Sequence, residues 1–487
     1  KIRWLVCLIA TSTVYSLAFS QPAHVFALLL PPLLWTFIKV FRSPEKRIYL
    51  AKRFFVAISL WVVLSFWWIY PYFKLGALAF GQKVSSESNL DSLVSVSQYF
   101  PTKELILLRQ SFLFGPASGT YEFYSNSWIY LISVIVLIFV LFGVTKLKKF
   151  KNGSFILLTF LVGWFVSKGS NPPFGKAFFE FLFSNFTFTQ SLRNSYEKFG
   201  LVFLIPYSLL FGVGYSLTLA KFKSSIKFTF YLPFLLISSV FLVSPMWTGD
   251  IFTPSLHVNI PSYYENANAY LSERNDDGRI LHLPILGGDT VGYTWGYRGV
   301  EPAEFLFDRS SVSKILRAKF FDDEYLTLHR DFIDNRDYSN QLEELNVKYL
   351  ILHNDLDPDA SGATPSAEVS RQLVKNSAIK QIRNFGNLSI YEFTSNTDGR
   401  LIIADGDENK ELDYEKYDPI HYKVYVKNST KPFNLIFKTT FSELWEGKID
   451  GDKITDHFLV YDYANGWRIN KTGDYTIDIV FKVWPWQ

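Results

Sequence analysis

The stretch WIYLISVIVLIFVLFGV, Trp128 to Val144, carries no charge and is followed at once by Lys146, Lys148, Lys149 and Lys151. An uncharged apolar run of this kind matches the roughly 17 to 25 residues that cross a bilayer core. Lysines crowded at one end mark that end as cytoplasmic by the positive-inside rule. The same pattern extends to both sides. Apolar runs occupy Trp4 to Phe19, Ala23 to Val40, Phe54 to Tyr70, Phe155 to Val166, Phe199 to Ala220 and Phe228 to Pro245, the first, second and fifth of the series being short. Lys1 and Arg3 precede the first run, Arg42, Lys46, Arg47, Lys52 and Arg53 follow the second, and Lys221, Lys223 and Lys227 follow the sixth. Basic clusters on every second connection predict a polytopic α-helical membrane domain of about seven spans. The connections 71–127 and 168–198, and everything after Trp247, then lie on the extracytoplasmic side.

Composition supports the division. Of the 45 acidic residues only Glu45, Glu87, Asp91, Glu104, Glu122, Glu180 and Glu197 stand before Met246. The net charge of +4 therefore sums over two different solvents. It gives no support for nucleic-acid binding, because topology explains the basic residues and the second half shows no basic patch with interleaved aromatics. The single cysteine, Cys7, falls in the first apolar run, so the second half holds neither a disulfide nor a cysteine-based metal site. The sequence opens on Lys1 with no cleavable signal pattern ahead of the first run, from which we expect the natural protein to continue upstream.

Within the first half, the connection 71–127 holds short apolar clusters, Leu90, Leu93, Val94 and Val96, then Leu105 to Leu107, and is too long for a plain linker. The connection 168–198 opens Ser170-Asn171-Pro172-Pro173 and runs through Phe174, Phe178, Phe179, Phe181 and Phe183. These phenylalanines either lie in the membrane interface or pack between helices.

After residue 247 the pattern turns to an α/β domain, 248–415. Arg279 to Pro284, Val347 to Leu352 and Leu388 to Phe393 read as strands; Ala303 to Phe307, Val312 to Phe321, Gln341 to Leu345 and the stretch from Ser370 read as helices; Pro358 to Ala363 reads as a mobile loop. From 416 to 487 alternating strands, His421 to Lys427, Phe433 to Phe441, Phe458 to Tyr461, Gly466 to Ile469 and Tyr475 to Val483, predict a C-terminal β-sandwich of the size of carbohydrate-binding modules, with Asn465-Gly466 as a hairpin turn.

Common catalytic signatures are missing: there is no nucleotide-binding glycine loop, His-Glu-x-x-His helix, Gly-x-Ser-x-Gly elbow or Cys/His cluster. Gly212 and Gly214 sit inside an apolar run and read as close helix packing. His257, His282, His329 and His353 are too far apart in sequence to assign a metal, so no metal site is readable, and the cofactor requirement, a divalent metal included, stays open. The most informative polar segment is Ser191-Leu192-Arg193-Asn194-Ser195-Tyr196-Glu197-Lys198-Phe199-Gly200, where a loop enters the sixth run. One reading is charged side chains snorkelling into the headgroup layer. The other is that Arg193 and Lys198, with Tyr196 and Glu197 beside them, hold the phosphate of a lipid-linked sugar, since guanidinium and ammonium groups pair well with phosphate oxygens. Glu197 is expected to pair with the two cations. Trp445 and Trp467 read as sandwich core, while Trp484 and Trp486 near the terminus are candidate sugar-stacking faces.

Four phrases, Arg193 to Phe199, Leu345 to Ile351, Gly386 to Glu392 and Tyr463 to Trp467, together with the layout, resemble the C-terminal two thirds of large prokaryotic GT-C membrane glycosyltransferases. In particular they resemble the α-(1→3)-arabinofuranosyltransferase-like and the related YfhO-like membrane proteins. The resemblance implies a multi-pass plasma-membrane enzyme of a prokaryotic envelope. It would transfer a sugar from a polyprenyl-phosphate donor to an extracytoplasmic envelope glycan or lipid-linked acceptor, with inversion and an acidic general base. In such enzymes the base follows the first membrane helix. The connection Ser20-Gln21-Pro22 has no carboxylate, so the base is expected in an upstream part of the natural protein, and no catalytic residue is assigned here. The expected partners are the lipid bilayer, the polyprenyl-linked sugar and the glycan acceptor. A non-catalytic glycan-binding or assembly protein on the same scaffold is the alternative. A transporter or flippase fits less well, because the runs contain almost no ionisable residues.

Overall fold

The computed structural model describes residues 23–79, 86–109, 123–221, 232–249, 258–286, 290–312, 322–394, 399–407 and 411–484, with isolated positions at 6, 7, 10 and 229. It divides into two compact units, residues 1–73 with 80–254, and residues 74–79 with 255–487.

The first unit is helical. Its helices are α1 (Ala23–Arg42), α2 (Arg47–Leu64), α3 (Phe66–Ala79), α4 (Ser86–Ser97), α5 (Thr102–Ile106), α6 (Ser127–Lys146), α7 (Gly153–Ser167), α8 (Gly175–Asn185), α9 (Ser195–Leu219), α10 (Leu232–Leu242) and α11 (Ser244–Thr248). Three helices are long and apolar enough to cross a membrane, His24–Arg42, Ser127–Lys149 and Ser195–Leu219, and Gly153–Ser167 is a shorter apolar helix. The seven expected spans are thus not all formed as such among the described residues. The first run lies almost wholly outside them. The third is split at Ser65 between α2, whose start carries Arg47, Lys52 and Arg53, and α3; the seventh is represented by α10.

Helix α9 is the hub, packing on α6, α7 and α1. A Cβ on Gly214 would overlap the carbonyl oxygen of Phe139, and one on Gly143 that of Leu210, so α6 and α9 touch backbone to backbone. This is the packing that sequence suggests for Gly214; Gly212 faces open space instead. Phe179 and Phe183 of α8 are buried with Leu93, Phe199 and Val202, while Phe174 and Phe181 remain exposed. The Phe-rich segment therefore both packs and presents an apolar face.

In the second unit, β4 (Ser311–Val312), β1 (Arg279–Leu283) and β5 (Val347–His353) pair in parallel, and β7 (Leu388–Phe393) and β6 (Ile379–Phe385) add antiparallel beyond β5. Side chains alternate across the sheet. Leu281, Leu283, Leu350 and Leu352 lie on the side covered by α13 (Asp322–Ile333), α14 (Ser339–Glu344) and α16 (Ser366–Leu373). On the opposite side, Ile280, Tyr349, Ile351, Leu388 and Ile390 are covered by α12 (Ser262–Ser272). Strands β2 (Thr290–Gly292) and β3 (Arg298–Val300) form a hairpin. Val312 ends β4 rather than opening the expected helix, whose remaining residues lie outside the described ones. Pro358–Ser361 is not a loose loop but a single helical turn, α15, whose N-terminal amides at Asp359 and Ala360 donate to the Asp357 carboxylate.

The sandwich stacks the sheet β13-β12-β16-β10-β9 on β14-β15-β11-β8. Strands β8 (Ile402–Asp405) and β9 (Glu411–Asp418) belong to it, ahead of the point where alternation becomes visible in the sequence. The remaining strands are β10 (His421–Ser429), β11 (Phe433–Thr440), β12 (Trp445–Ile449), β13 (Asp452–Lys453), β14 (His457–Val460), β15 (Ala464–Ile469) and β16 (Gly473–Phe481). Trp467 and Trp445 are core residues with Phe433, Phe437 and Ile477. Large apolar side chains of this kind stabilise by about 1.5–3 kcal/mol each on burial. Ile436, Tyr463 and Ala464 pack into the same cluster as Leu281 and Val347, so sandwich and α/β sheet share apolar core.

Asn465-Gly466 does not form the hairpin turn. The turn falls at Tyr461 and Asp462, with φ of 50° and 54°, and β15 pairs with β14 from Ala464 onward. Asn465 is instead a buried hub: its Nδ2 donates to Thr439 O and Thr440 O at 2.8 and 3.2 Å, and its Oδ1 accepts from Ser442 N at 3.2 Å. These three bonds, with His457 Nε2 3.1 Å from Asn465 Oδ1 as a fourth contact, outweigh the local preference of Asn-Gly for a turn.

Candidate functional site

The polar segment at Arg193 lies where a 3-10 turn, Thr187–Leu192, passes into α9. Arg193 is exposed, and among the described residues its side chain makes one hydrogen bond, from Nη1 to Asn89 Oδ1 of α4 at 3.3 Å. Asn89 Nδ2 in turn donates to Gln190 Oε1 at 3.1 Å, and Gln190 Nε2 to Phe183 O at 3.2 Å. The guanidinium is thus aimed by an amide pair, and donors remain facing outward. Asn194 holds the N-cap position without a capping bond from its side chain, and its buried Oδ1 meets no hydrogen-bond donor among the described residues.

Tyr196 stacks on Phe100, ring centroids 4.3 Å apart at 17°. Glu197 is exposed in the first turn of α9, where a carboxylate faces the positive end of the helix dipole. The pairing expected of Glu197 with Arg193 and Lys198 is not formed: no ion pair within 4.0 Å joins them among the described residues. Lys198 is half-buried one residue further on. Arg193, Tyr196, Glu197 and Lys198 gather at the head of one helix, where the charges of Glu197 and Arg193 both act on Lys198.

The neighbouring loop is held rigidly. Lys168 is fully buried, its Nζ bonded to Asn171 O and, at 2.8 Å, to Pro173 O, and it lies 4.6 Å above the Phe165 ring. Asn171 Nδ2 reaches Ser97 O and Phe100 O, both at 2.8 Å, and Ser170 N donates to Ser97 Oγ at 3.0 Å. Gly169, at φ 59°, leaves no room for a Cβ against Ser97 Oγ. Sequence reasoning missed Asn89, Gln190, Ser97, Lys168 and Asn171, because neutral amides and a lone lysine carry no local pattern. Their only signal is position, in loops that flank apolar runs.

Of the other carboxylates in these connections, Glu104 is tied to Arg109 at 3.3 Å, Glu180 is exposed on α8 and Asp91 is exposed on α4. Glu122 and the side chain of Glu87 lie outside the described residues, as does Trp486. Trp484 is half-buried and has a partner of its own. Among the described residues no group of three His, Cys, Asp or Glu side chains is placed to hold a metal ion.

Comparison with known proteins falls on the same ground. A curated α-(1→3)-arabinofuranosyltransferase of Mycolicibacterium smegmatis is 27% identical over 151 residues, 29% of this chain and 10% of that protein. Cryo-EM structures of the arabinofuranosyltransferase AftD from mycobacteria align over 97% of this chain at 13% identity. One has a TM-score of 0.48 with 45% of its own length covered, and the R1389S mutant in its class 2 form has 0.46 with 47%. The chain thus spans under half the length of these relatives. The family model for the α-(1→3)-arabinofuranosyltransferase N-terminal GT-C domain matches residues 21–407, which is most of the chain and includes the Arg193 segment; this protein therefore belongs to the α-(1→3)-arabinofuranosyltransferase GT-C family.

Proposed function

We propose that this chain is part of a membrane glycosyltransferase that moves a sugar from a polyprenyl-phosphate donor to an extracytoplasmic glycan or lipid-linked acceptor of a prokaryotic envelope. In this reading the loops 71–127 and 168–198 and the whole second unit lie outside the plasma membrane. The arrangement at the head of α9 carries the proposal: an exposed guanidinium aimed by Asn89 supplies donors for a lipid phosphate. Lys198 adds positive charge one turn into the helix. The family match supports the sugar-transfer chemistry, and the general base is assigned to no residue of this chain.

The reading is tested by binding of a short polyprenyl phosphate to the natural protein in nanodiscs. Arg193→Ala should weaken binding by about 10- to 100-fold, the equivalent of one charge-assisted hydrogen bond of ~1.5–3 kcal/mol, with insertion and thermal stability unchanged. Unchanged affinity would remove Arg193 from the phosphate site.

A further inference from the structure

A separate polar chain runs through the second unit across the three parallel strands β4, β1 and β5, from Ser311, which opens β4, to His353, which ends β5. Ile280 pairs with Ser311 and His282 with Ile351, so alternation puts Ser311, His282 and His353 on one face of the sheet, the face that α12 covers. His282 Nε2 lies 3.0 Å from Ser311 Oγ, and its Nδ1 lies 3.0 Å from His353 Nε2. His353 Nδ1 is 3.1 Å from the Tyr264 hydroxyl, which is 3.0 Å from Asp355 Oδ2. Tyr263 OH and Trp295 Nε1 end on that same oxygen at 2.7 and 3.0 Å. Asp355 is fully buried.

The partners fix the protons. With three donors converging on it, Asp355 Oδ2 is purely an acceptor, so the Tyr264 proton is committed to it and the Tyr264 oxygen must accept from His353 Nδ1–H. Burial holds His353 down at about 3, and burial with His353 alongside holds His282 well below its usual range, so both rings are neutral. A neutral His353 protonated at Nδ1 presents a lone pair at Nε2, which takes His282 Nδ1–H. The lone pair of His282 Nε2 is then left for the Ser311 hydroxyl. The chain does not close inside the core: Ser311 and His282 are both partly open to solvent.

We infer that Ser311 is a nucleophile with His282 as its general base, and that this end of the α/β sheet takes a neutral acyl ester. Ser311 Oγ bonds to the carbonyl carbon as its proton passes to His282 Nε2. The tetrahedral adduct then collapses and the alcohol leaves with that proton. Water repeats the sequence on the Ser311 ester, giving its proton through His282 to Ser311 Oγ and releasing the carboxylic acid. His353, Tyr264 and Asp355 are positioning residues that hold His282 in the tautomer the step requires.

Two observations choose the substrate class. Open α/β sheets bind ligands beyond the carboxyl ends of their strands, and His282 and His353 stand toward the carboxyl ends of β1 and β5. Among the described residues, carboxylates stand along this chain of groups: Asp355 ends it, and Glu301 is bonded to Tyr293 OH at 2.8 Å. Arg309 is turned to Asp276 and to four backbone carbonyls, and Arg298 to Asp357 at 3.1 Å. A phosphate here would meet carboxylates, whereas an uncharged ester would not be repelled.

The experiment is to treat the whole protein with a fluorophosphonate, which transfers its phosphonyl group to activated serines with loss of fluoride, and to map the adduct by peptide mass spectrometry. The expected result is an adduct on Ser311 in the folded protein and none after denaturation. His282→Gln should slow labelling by about 100-fold or more, the usual worth of a general base. In the protein labelled with 15N-histidine, Asp355→Asn should change the tautomer signals of His353 and His282, which loss of packing alone would not do. Folded wild-type protein without an adduct at Ser311, or labelling undiminished in a folded His282→Gln variant, would overturn the inference. Unchanged tautomers in Asp355→Asn would remove Asp355 from its positioning role. The first result is read on unmutated protein, so it stands even where a variant fails to fold.

Discussion

At Arg193 the polar side chains reach one another across loops and keep their remaining donors turned to solvent, whereas around Asp355 every step from Ser311 inward is handed to another protein group. The first arrangement costs little to alter and leaves capacity for a ligand. The second spends nearly all its hydrogen-bonding capacity on itself, and removing one member strands the others in a low-dielectric interior. Mutation should therefore separate the two regions, stability responding around Asp355 and phosphate binding at Arg193, with reactivity confined to Ser311 and His282 at the open end of the second.

The largest stability effect is expected deep in the second unit. Trp467→Ala empties a fully buried site stacked on His457 at 4.7 Å and should cost about 3–5 kcal/mol in denaturant unfolding. Asp355→Ala should follow at about 3 kcal/mol, because Tyr263, Tyr264 and Trp295 lose one shared acceptor. A cost below 1 kcal/mol would mean that water replaces the carboxylate and that the network is not sealed.

Acid sharpens the contrast through His353. Its folded value of about 3 lies below the ordinary 6.5, so between those limits the unfolded chain binds a proton that the native state refuses. Stability contributed by the neutral ring is complete above pH 6.5 and is lost as pH falls from there toward 3, at up to ~1.4 kcal/mol per pH unit. Burial raises the carboxyls of Asp355 and Glu301, which acts in the opposite sense, since there the native state takes up the proton more readily. The His353 part is isolated by comparing wild type with His353→Gln, whose stability should fall less steeply across that window. Parallel curves would contradict the assignment.

In the helical unit, Gly214→Val should drive α6 from α9 and lower the melting temperature in detergent, while Gly212→Val, facing open space, should leave it unchanged. Equal effects would mean that the two helices do not pack as described. The smallest stability change belongs to Arg193→Ala, within about 0.5 kcal/mol, as for other exposed side chains.

The two regions were unequally legible before folding. The segment at Arg193 stands out because cations abut an apolar run, a signal contained within ten consecutive residues. Its partners Asn89 and Gln190 are neutral amides in separate loops, and only tertiary structure joins them. His282 and His353, 71 residues apart, looked unrelated because parallel pairing of β1 with β5 is a nonlocal event that no local periodicity encodes. The strands themselves were readable, since Leu388–Phe393 and the sandwich strands alternate cleanly. The hairpin turn was misplaced because Asn465 is spent on buried hydrogen bonds and Tyr461 and Asp462 adopt the left-handed conformation instead. The membrane helices were readable as apolar runs but not in number, because Ser65 divides one run and the first run lies outside the described residues.

The proposed function, sugar transfer from a polyprenyl-phosphate donor whose phosphate is held at the head of α9, is tested most directly by supplying the natural protein in membranes with a panel of radiolabelled polyprenyl-phosphate sugars and an envelope-glycan acceptor. The account predicts transfer of one sugar to the acceptor, reduced at least tenfold in Arg193→Ala at equal protein levels. Acceptor bound with no transfer from any donor would contradict it and leave a glycan-binding or assembly role.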